Sequence, residues 1–295
     1  MSGFFAFFEP WEFSWLVQLS VWISLLLYFN GLRKSAPEQR PGYAPIAAFV
    51  IGVVLMYLVT QTYYDYLSQY MFFVHRVQHL VLHHMGPFLV ALAAPAPVLA
   101  RGIPRPVRAW FGRRRVLAAA RTGLYRVLQQ PLVASILFAG LIIFWLSPRV
   151  HFDAMISRPL YWVMNWSMAL DGLLFWWLIF NRETGGITPR LGYGTRLLML
   201  VAVMLPQIIV GASITFAGSN WFEVYAVCGR AWPLDPMTDQ QIGGVITWVP
   251  AAMMSSVAGI IVIWFWLRED PLLRTRRLSR TRTLPAGSHQ NKSGG

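Results

Sequence analysis

The sequence predicts an all-α integral membrane protein of about seven transmembrane helices, its amino terminus outside and its carboxyl terminus in the cytoplasm. Three observations carry that fold class. Of 295 residues, 56% are apolar and 13% are charged, too little charge to coat a water-soluble surface of this size. Seven apolar stretches approach the about 20 residues that cross a bilayer core as a helix. The basic residues collect in every second connector.

The stretches are 13–30, 44–62, 70–93, 131–147, 159–180, 196–217 and 241–267, the fourth being the shortest. Polar or Pro/Gly-rich connectors such as 35–42 and 184–194 separate them. Together they make a single polytopic membrane domain over 1–267, followed by a basic tail over 268–295 whose polar, Gly/Ser-containing end reads as disordered. No internal repeat is visible, which counts against an inverted-repeat transporter. The first twelve residues carry Glu9 and Glu12 and no Lys or Arg, the reverse of a signal peptide's basic start.

Charge sets the orientation. Connectors 31–43, 101–130, 181–196 and 268–295 hold 21 Lys and Arg, whereas 1–12, 63–69, 148–158 and 218–240 hold 3. That bias puts the first set in the cytoplasm, and its alternation at every connector requires an odd number of spans, hence seven. The same placement excludes nucleic acid as the reason for the net charge of +13. Clusters such as Arg113-Arg114-Arg115 lie next to the membrane, where anionic lipid heads attract them.

The chemistry concentrates in the third stretch, where His75, Arg76, Gln78, His79, His83, His84 and Met85 precede Gly86 and Pro87. His75, His79 and His83 recur every four residues and so share one helix face, each step descending about 6 Å. His84 points away from His79. Ionisable groups inside a bilayer are costly and usually functional, and an i, i+4 imidazole pair can hold a metal ion with ligands from elsewhere. The stripe beside Arg76 therefore reads as a metal or proton-relay site, against the plainer account that each histidine bonds a neighbouring helix.

Several centres are excluded by the residue list. Arg76 stands where a zincin needs its general base. A membrane di-iron centre needs several histidine boxes, and only His151 and His289 lie outside this helix. No other helix offers an imidazole for a bis-His haem, so no haem is expected within a single chain. Cys228, the only cysteine, rules out an intrachain disulfide and a thiolate cage. Soft ligands that could complete a Cu(I) site are Met71, Met85, Met164, Met168, Met253, Met254 and Cys228.

Other polar residues sit at depth. Asp171, about midway along the fifth stretch, counts down to the level of His83 and pairs better with His83 or His84 than with Arg76. Asn165 lies higher, near His75 and His79. The seventh stretch opens with Asp239-Gln240-Gln241-Ile242-Gly243-Gly244 and continues to Trp248 and Pro250. Asp239 is expected to cap that helix and the glycines to allow close packing. The alternative is that Asp239 and Gln240 line an outer mouth above the histidine stripe.

Taken together, His75-Arg76-Val77-Gln78-His79 followed by Pro87, Pro95 and Pro97, Gly172 with Trp176, Tyr225, and the Asp239 motif resemble the caa3-type cytochrome c oxidase assembly factor (CtaG) family over about residues 45–265. The resemblance implies a multi-pass protein of the bacterial inner (plasma) membrane, needed for respiratory-chain biogenesis. It implies an accessory role rather than catalysis, with copper as Cu(I) handed to oxidase subunits or taken from other copper chaperones. His75 and His79 are the positions it points to first, then Asp239. Members of that family often carry a histidine early in the fifth helix, where this chain has Asn165, and His83-His84 offers a substitute ligand.

The ligand set expected on that reading is His75, His79 and His83, with Cys228 and Met85 as further candidates. Arg76, His84 and Asp171 would balance charge, and Asp239 and Gln240 would shape the entrance. Two other readings stand beside it. One is a transporter of copper or another small solute along the stripe. The other is a scaffold for an oxidase subunit, in which the histidines bind no metal.

Overall fold

The computed structural model describes residues 12–113, 115–182, 189–227 and 229–269. Cys228 and the tail from 270 onward lie outside the described residues. Among the described residues there are helices and turns and no strand. Five helices are long and apolar enough to cross a membrane, and up to seven if each of two bent pairs counts as one span.

The helices are α1 (Trp15–Lys34), α2 (Tyr43–Gln61), α3 (Tyr63–Tyr70), α4 (Phe72–Leu92), α5 (Ala96–Gly102), α6 (Arg105–Arg113) and α7 (Arg115–Leu128). They continue with α8 (Pro131–Leu146), α9 (Pro148–Ile156), α10 (Arg158–Phe180), α11 (Tyr193–Thr215), α12 (Val224–Val227) and α13 (Pro236–Glu269). The polar connector 63–69 is thus itself helical, as α3. Its first turn is held by the Thr62 side chain, which accepts from the Tyr64 backbone N–H.

Prolines place the sharp bends. A 79° bend separates α4 from α5. There Ala94 takes a left-handed conformation (φ 46°) ahead of Pro95, which has no N–H with which to continue a helix. A 74° bend separates the end of α7 from α8, which Pro131 starts at a position where a missing N–H costs nothing.

Close approaches tie the helices together. A Cβ on Gly31 would sit 1.9 Å from the Val98 carbonyl oxygen, and one on Gly102 equally near that of Leu27, so only glycine lets α1 cross α5. The pair α11 and α13 forms the most extensive helix contact, with Gly211 against Trp248 and Gly244 against Thr215. Arg196 of α11 is fully buried and donates to the carbonyls of Ile179, Asn181 and Leu191. It thereby satisfies the carboxyl end of α10 with a cation, the sign that a helix terminus of this polarity favours. α4 runs through the middle of the bundle, against α2, α10 and α13.

Candidate functional site

The start of α4 is fastened by α13. Asp239 accepts from the backbone N–H groups of Phe72 (3.1 Å) and Phe73 (2.8 Å) and pairs with Arg230. These are two of the four amide donors that a helix start leaves open, and a carboxylate is the acceptor that start favours. The expectation that Asp239 caps its own helix is therefore corrected. α13 begins three residues earlier at Pro236, and Asp235 caps it by accepting from the Thr238 N–H at 2.9 Å. Those same Thr238 bonds hold the exposed Asp235 carboxyl below its ordinary range.

Gln240 accepts from the Trp221 N–H and donates to Ser219 O, pinning the loop before α12. Gly243 lies flat on Phe72, where a Cβ would meet the ring at 2.3 Å. The Asp-Gln-x-x-Gly-Gly motif thus locks α13 onto the head of the histidine helix.

Just below that head stand His75 and His79, with ring centroids 4.5 Å apart and planes tilted by 31°. Both are fully buried, and none of their four ring nitrogens makes a well-formed hydrogen bond, the Ser68 backbone being the one acceptor that His75 approaches. Buried polar groups are nearly always bonded, so four orphans on adjacent turns call for an explanation beyond packing. Arg76, on the next face, donates from Nε to Thr247 of α13 at 3.1 Å. Gln78 is structural: its amide donates to Val59 O and Asp65, each at 2.7 Å, and Tyr161 closes the network on Asp65. Asp65 lies in α3, outside the spans, and burial pushes its carboxyl up to about 6 against the bonds from Tyr161 and Gln78.

His151 of α9 approaches from the side, its ring centroid 5.2 Å from that of His75 and nearly perpendicular to it. Its Nδ1 meets the Trp145 carbonyl at 3.0 Å. A carbonyl only accepts, so Nδ1 carries the proton, and the Nε2 lone pair of the neutral ring accepts from the Tyr225 hydroxyl at 2.9 Å.

Farther along α4 the environment changes. Residues Leu80–Met85 form a π-helical turn, in which the Gly86 N–H reaches back five residues to Val81 O. Pro87 has no N–H to give to the carbonyl of His83 four residues before it. The Trp176 indole supplies the missing donor at 3.1 Å, and Gly172 lets α10 come close enough, since a Cβ there would sit 2.5 Å from His83 O.

His83 Nε2 lies 2.9 Å from Asp171 Oδ2, and its ring stacks on Phe138. This is one of the two partners, His83 or His84, that depth counting offered Asp171. His84 Nε2 meets Gln207 Oε1 of α11 at 3.1 Å. Between the two halves is a void of about 10 Å³, room for about one water, bordered by Arg76, His79, His83, His84, Met168 and Thr247.

The expected set of His75, His79 and His83 is not gathered around one point. Among the described residues no group of three or more His, Cys, Asp or Glu is arranged to hold a metal ion. Met85 packs beside the Val59, Val81 and Leu82 cluster, while Met168 borders the void. Asn165 lines a separate apolar cavity of about 290 Å³, its side-chain carbonyl without a partner. His151 and Gln207 are the neighbours that sequence reading did not select. Being one of only two histidines outside the third stretch was the available signal for the first.

A helical membrane protein with buried, unpartnered imidazoles on one central helix is the class that this fold and site define. The chain belongs to the cytochrome c oxidase caa3 assembly factor (Caa3_CtaG) family, whose model matches residues 26–269. It is also 25% identical, over 281 residues, to uncharacterised proteins of Mycobacterium bovis and Mycobacterium tuberculosis, covering 90% of this chain and 40% of each of theirs. The chain thus spans less than half the length of these curated relatives. No solved structure matches it.

Proposed function

We propose that this assembly factor takes Cu(I) as cargo on the His75–His79 pair and hands it to a haem–copper oxidase. The observation that carries the reading is the set of four buried ring nitrogens without a hydrogen-bond partner. Imidazole suits copper, and Cu(I) accepts two ligands where zinc or Cu(II) asks for more. A pair without a third ligand fits an ion that must leave again. His83 stays with Asp171 and sets the lower limit of the pair.

In this reading the face bearing α3, α9 and α12 is outside, and the basic connectors and the tail are in the cytoplasm, following the 21-to-3 division of charge. The membrane is then the cell's inner (plasma) membrane, the partners are oxidase subunits or copper chaperones, and the role is accessory rather than catalytic.

The test is Cu(I) binding by the reduced, detergent-purified protein. One Cu(I) per chain is expected, lost in His75→Ala/His79→Ala, together with reduced copper in the oxidase of cells carrying that variant. Absence of binding by the unsubstituted protein would overturn the reading in favour of a metal-free scaffold.

A further inference from the structure

We infer that His151 is the entry ligand of the histidine pair, with Tyr225 as its latch, and that a polar vestibule against α9 delivers a soft cation to it. The inference rests on the copper reading above and extends it to His151, a residue that the family motifs leave out. Its geometry has three parts.

First, a cavity of about 400 Å³ lies between α9 and the loop before α12, lined by Arg149, His151, Asp153, Asn220 and Glu223 among others. The Asp153 and Glu223 side chains are exposed there beside the equally exposed Arg149, so two carboxylates against one guanidinium meet whatever cation enters from solvent.

Second, His151 adjoins both this cavity and the pair. It is fully buried, borders the vestibule on one side, and on the other holds its ring 5.2 Å from that of His75, which in turn lies 4.5 Å from His79. Three imidazoles therefore follow one another from vestibule to pair. Because no three of them converge on one point, the arrangement suits pairwise exchange rather than a fixed cage.

Third, the bonding of His151 leaves the useful atom available. Nδ1–H is committed to the Trp145 carbonyl, which orients the ring and raises the basicity of Nε2. The Tyr225 hydroxyl occupies the Nε2 lone pair, and its departure frees that atom to bind the ion. The step is ligand exchange without redox change. Nε2 releases the hydroxyl and binds the ion, a nitrogen of His75 takes it over, and the hydroxyl returns to Nε2. No proton leaves the protein.

The experiment is stopped-flow transfer of Cu(I) from its bicinchoninate complex to the full chain in detergent. The variants are His151→Gln, which retains a polar side chain able to bond both neighbours, and Tyr225→Phe, which removes only the hydroxyl. His151→Gln is expected to load at least about tenfold more slowly, the effect of about 1.4 kcal/mol on a barrier, with one Cu(I) still bound at the end. Tyr225→Phe is expected to load faster than the unsubstituted chain. Equal loading rates in His151→Gln and the unsubstituted chain would overturn the entry role and leave the pair standing. Slower loading in Tyr225→Phe would overturn the latch. If no chain takes up Cu(I), the pair itself has failed and the entry role with it.

Discussion

In the first two turns of α4, His75 and His79 bury four ring nitrogens without a well-formed hydrogen bond, while in the π turn His83 and His84 each commit Nε2 to a partner, Asp171 or Gln207, and leave only Nδ1 open. Both pairs are equally buried, on one helix, a few residues apart. The difference lies in what the neighbouring helices present. α10 and α11 offer side-chain acceptors to the lower pair, whereas the upper pair meets chiefly rings, His151, Tyr161 and each other, with the Ser68 backbone near His75. An imidazole bonded to a carboxylate is already settled in its site. One left open has a cost of desolvation, about 1–3 kcal/mol, that only a ligand can recover. The upper pair is therefore where cargo belongs, and the lower pair is framework.

Substitution breaks or sharpens this contrast, and the largest effect is expected at the lower pair. His83→Leu leaves the Asp171 carboxyl buried without its partner and should cost about 3–5 kcal/mol of stability, seen as a lowered detergent melting temperature. His79→Leu removes two orphan nitrogens and should leave the melting temperature unchanged or raised. Equal losses in both would erase the distinction.

Next comes pH. The folded Asp65 carboxyl titrates at about 6 against an ordinary 3.8, so the native state holds its proton more tightly than the unfolded chain does. Stability from this group is therefore fully present below about 3.8 and declines as pH rises to about 6, by at most about 1.4 kcal/mol per pH unit. Asp65→Asn should flatten that slope between pH 4 and 6 while leaving Cu(I) stoichiometry alone, which separates the network under the upper pair from the pair itself. An unchanged slope would exclude Asp65 as its source.

The smallest effect concerns the π turn. Trp176→Phe strands the His83 carbonyl and should cost about 1–3 kcal/mol. Adding Pro87→Ala returns a backbone N–H to that carbonyl, so the double variant should lose less than Trp176→Phe alone. A simple sum of the two single effects would show that indole and proline are not coupled.

The class of fold was legible in hydropathy, and the pairing of Asp171 with either His83 or His84 in depth counting along two helices. The site was legible only in part. The four-residue stripe holds while α4 is α-helical, and the π turn from Leu80 carries His83 off it. Pro87 was the visible cause, since a missing donor must be compensated somewhere, but the compensating Trp176 belongs to another helix. His151 was hidden for a related reason. Its short helix α9 sits in a connector, and no local pattern shows which span a connector folds against. Asp239 misled because capping rules are local, while this carboxylate serves amides 166 and 167 residues away.

That last contact has a consequence in time. At a synthesis rate of about 5–20 residues per second, about 8–33 s separate the emergence of Phe72 from that of Asp239. Throughout that interval the head of the histidine helix lacks its anchor. The imidazole pair is thus completed only once the start of α13 has emerged, so a nascent protein, or one truncated before Asp239, would display the histidines before it could hold them in place.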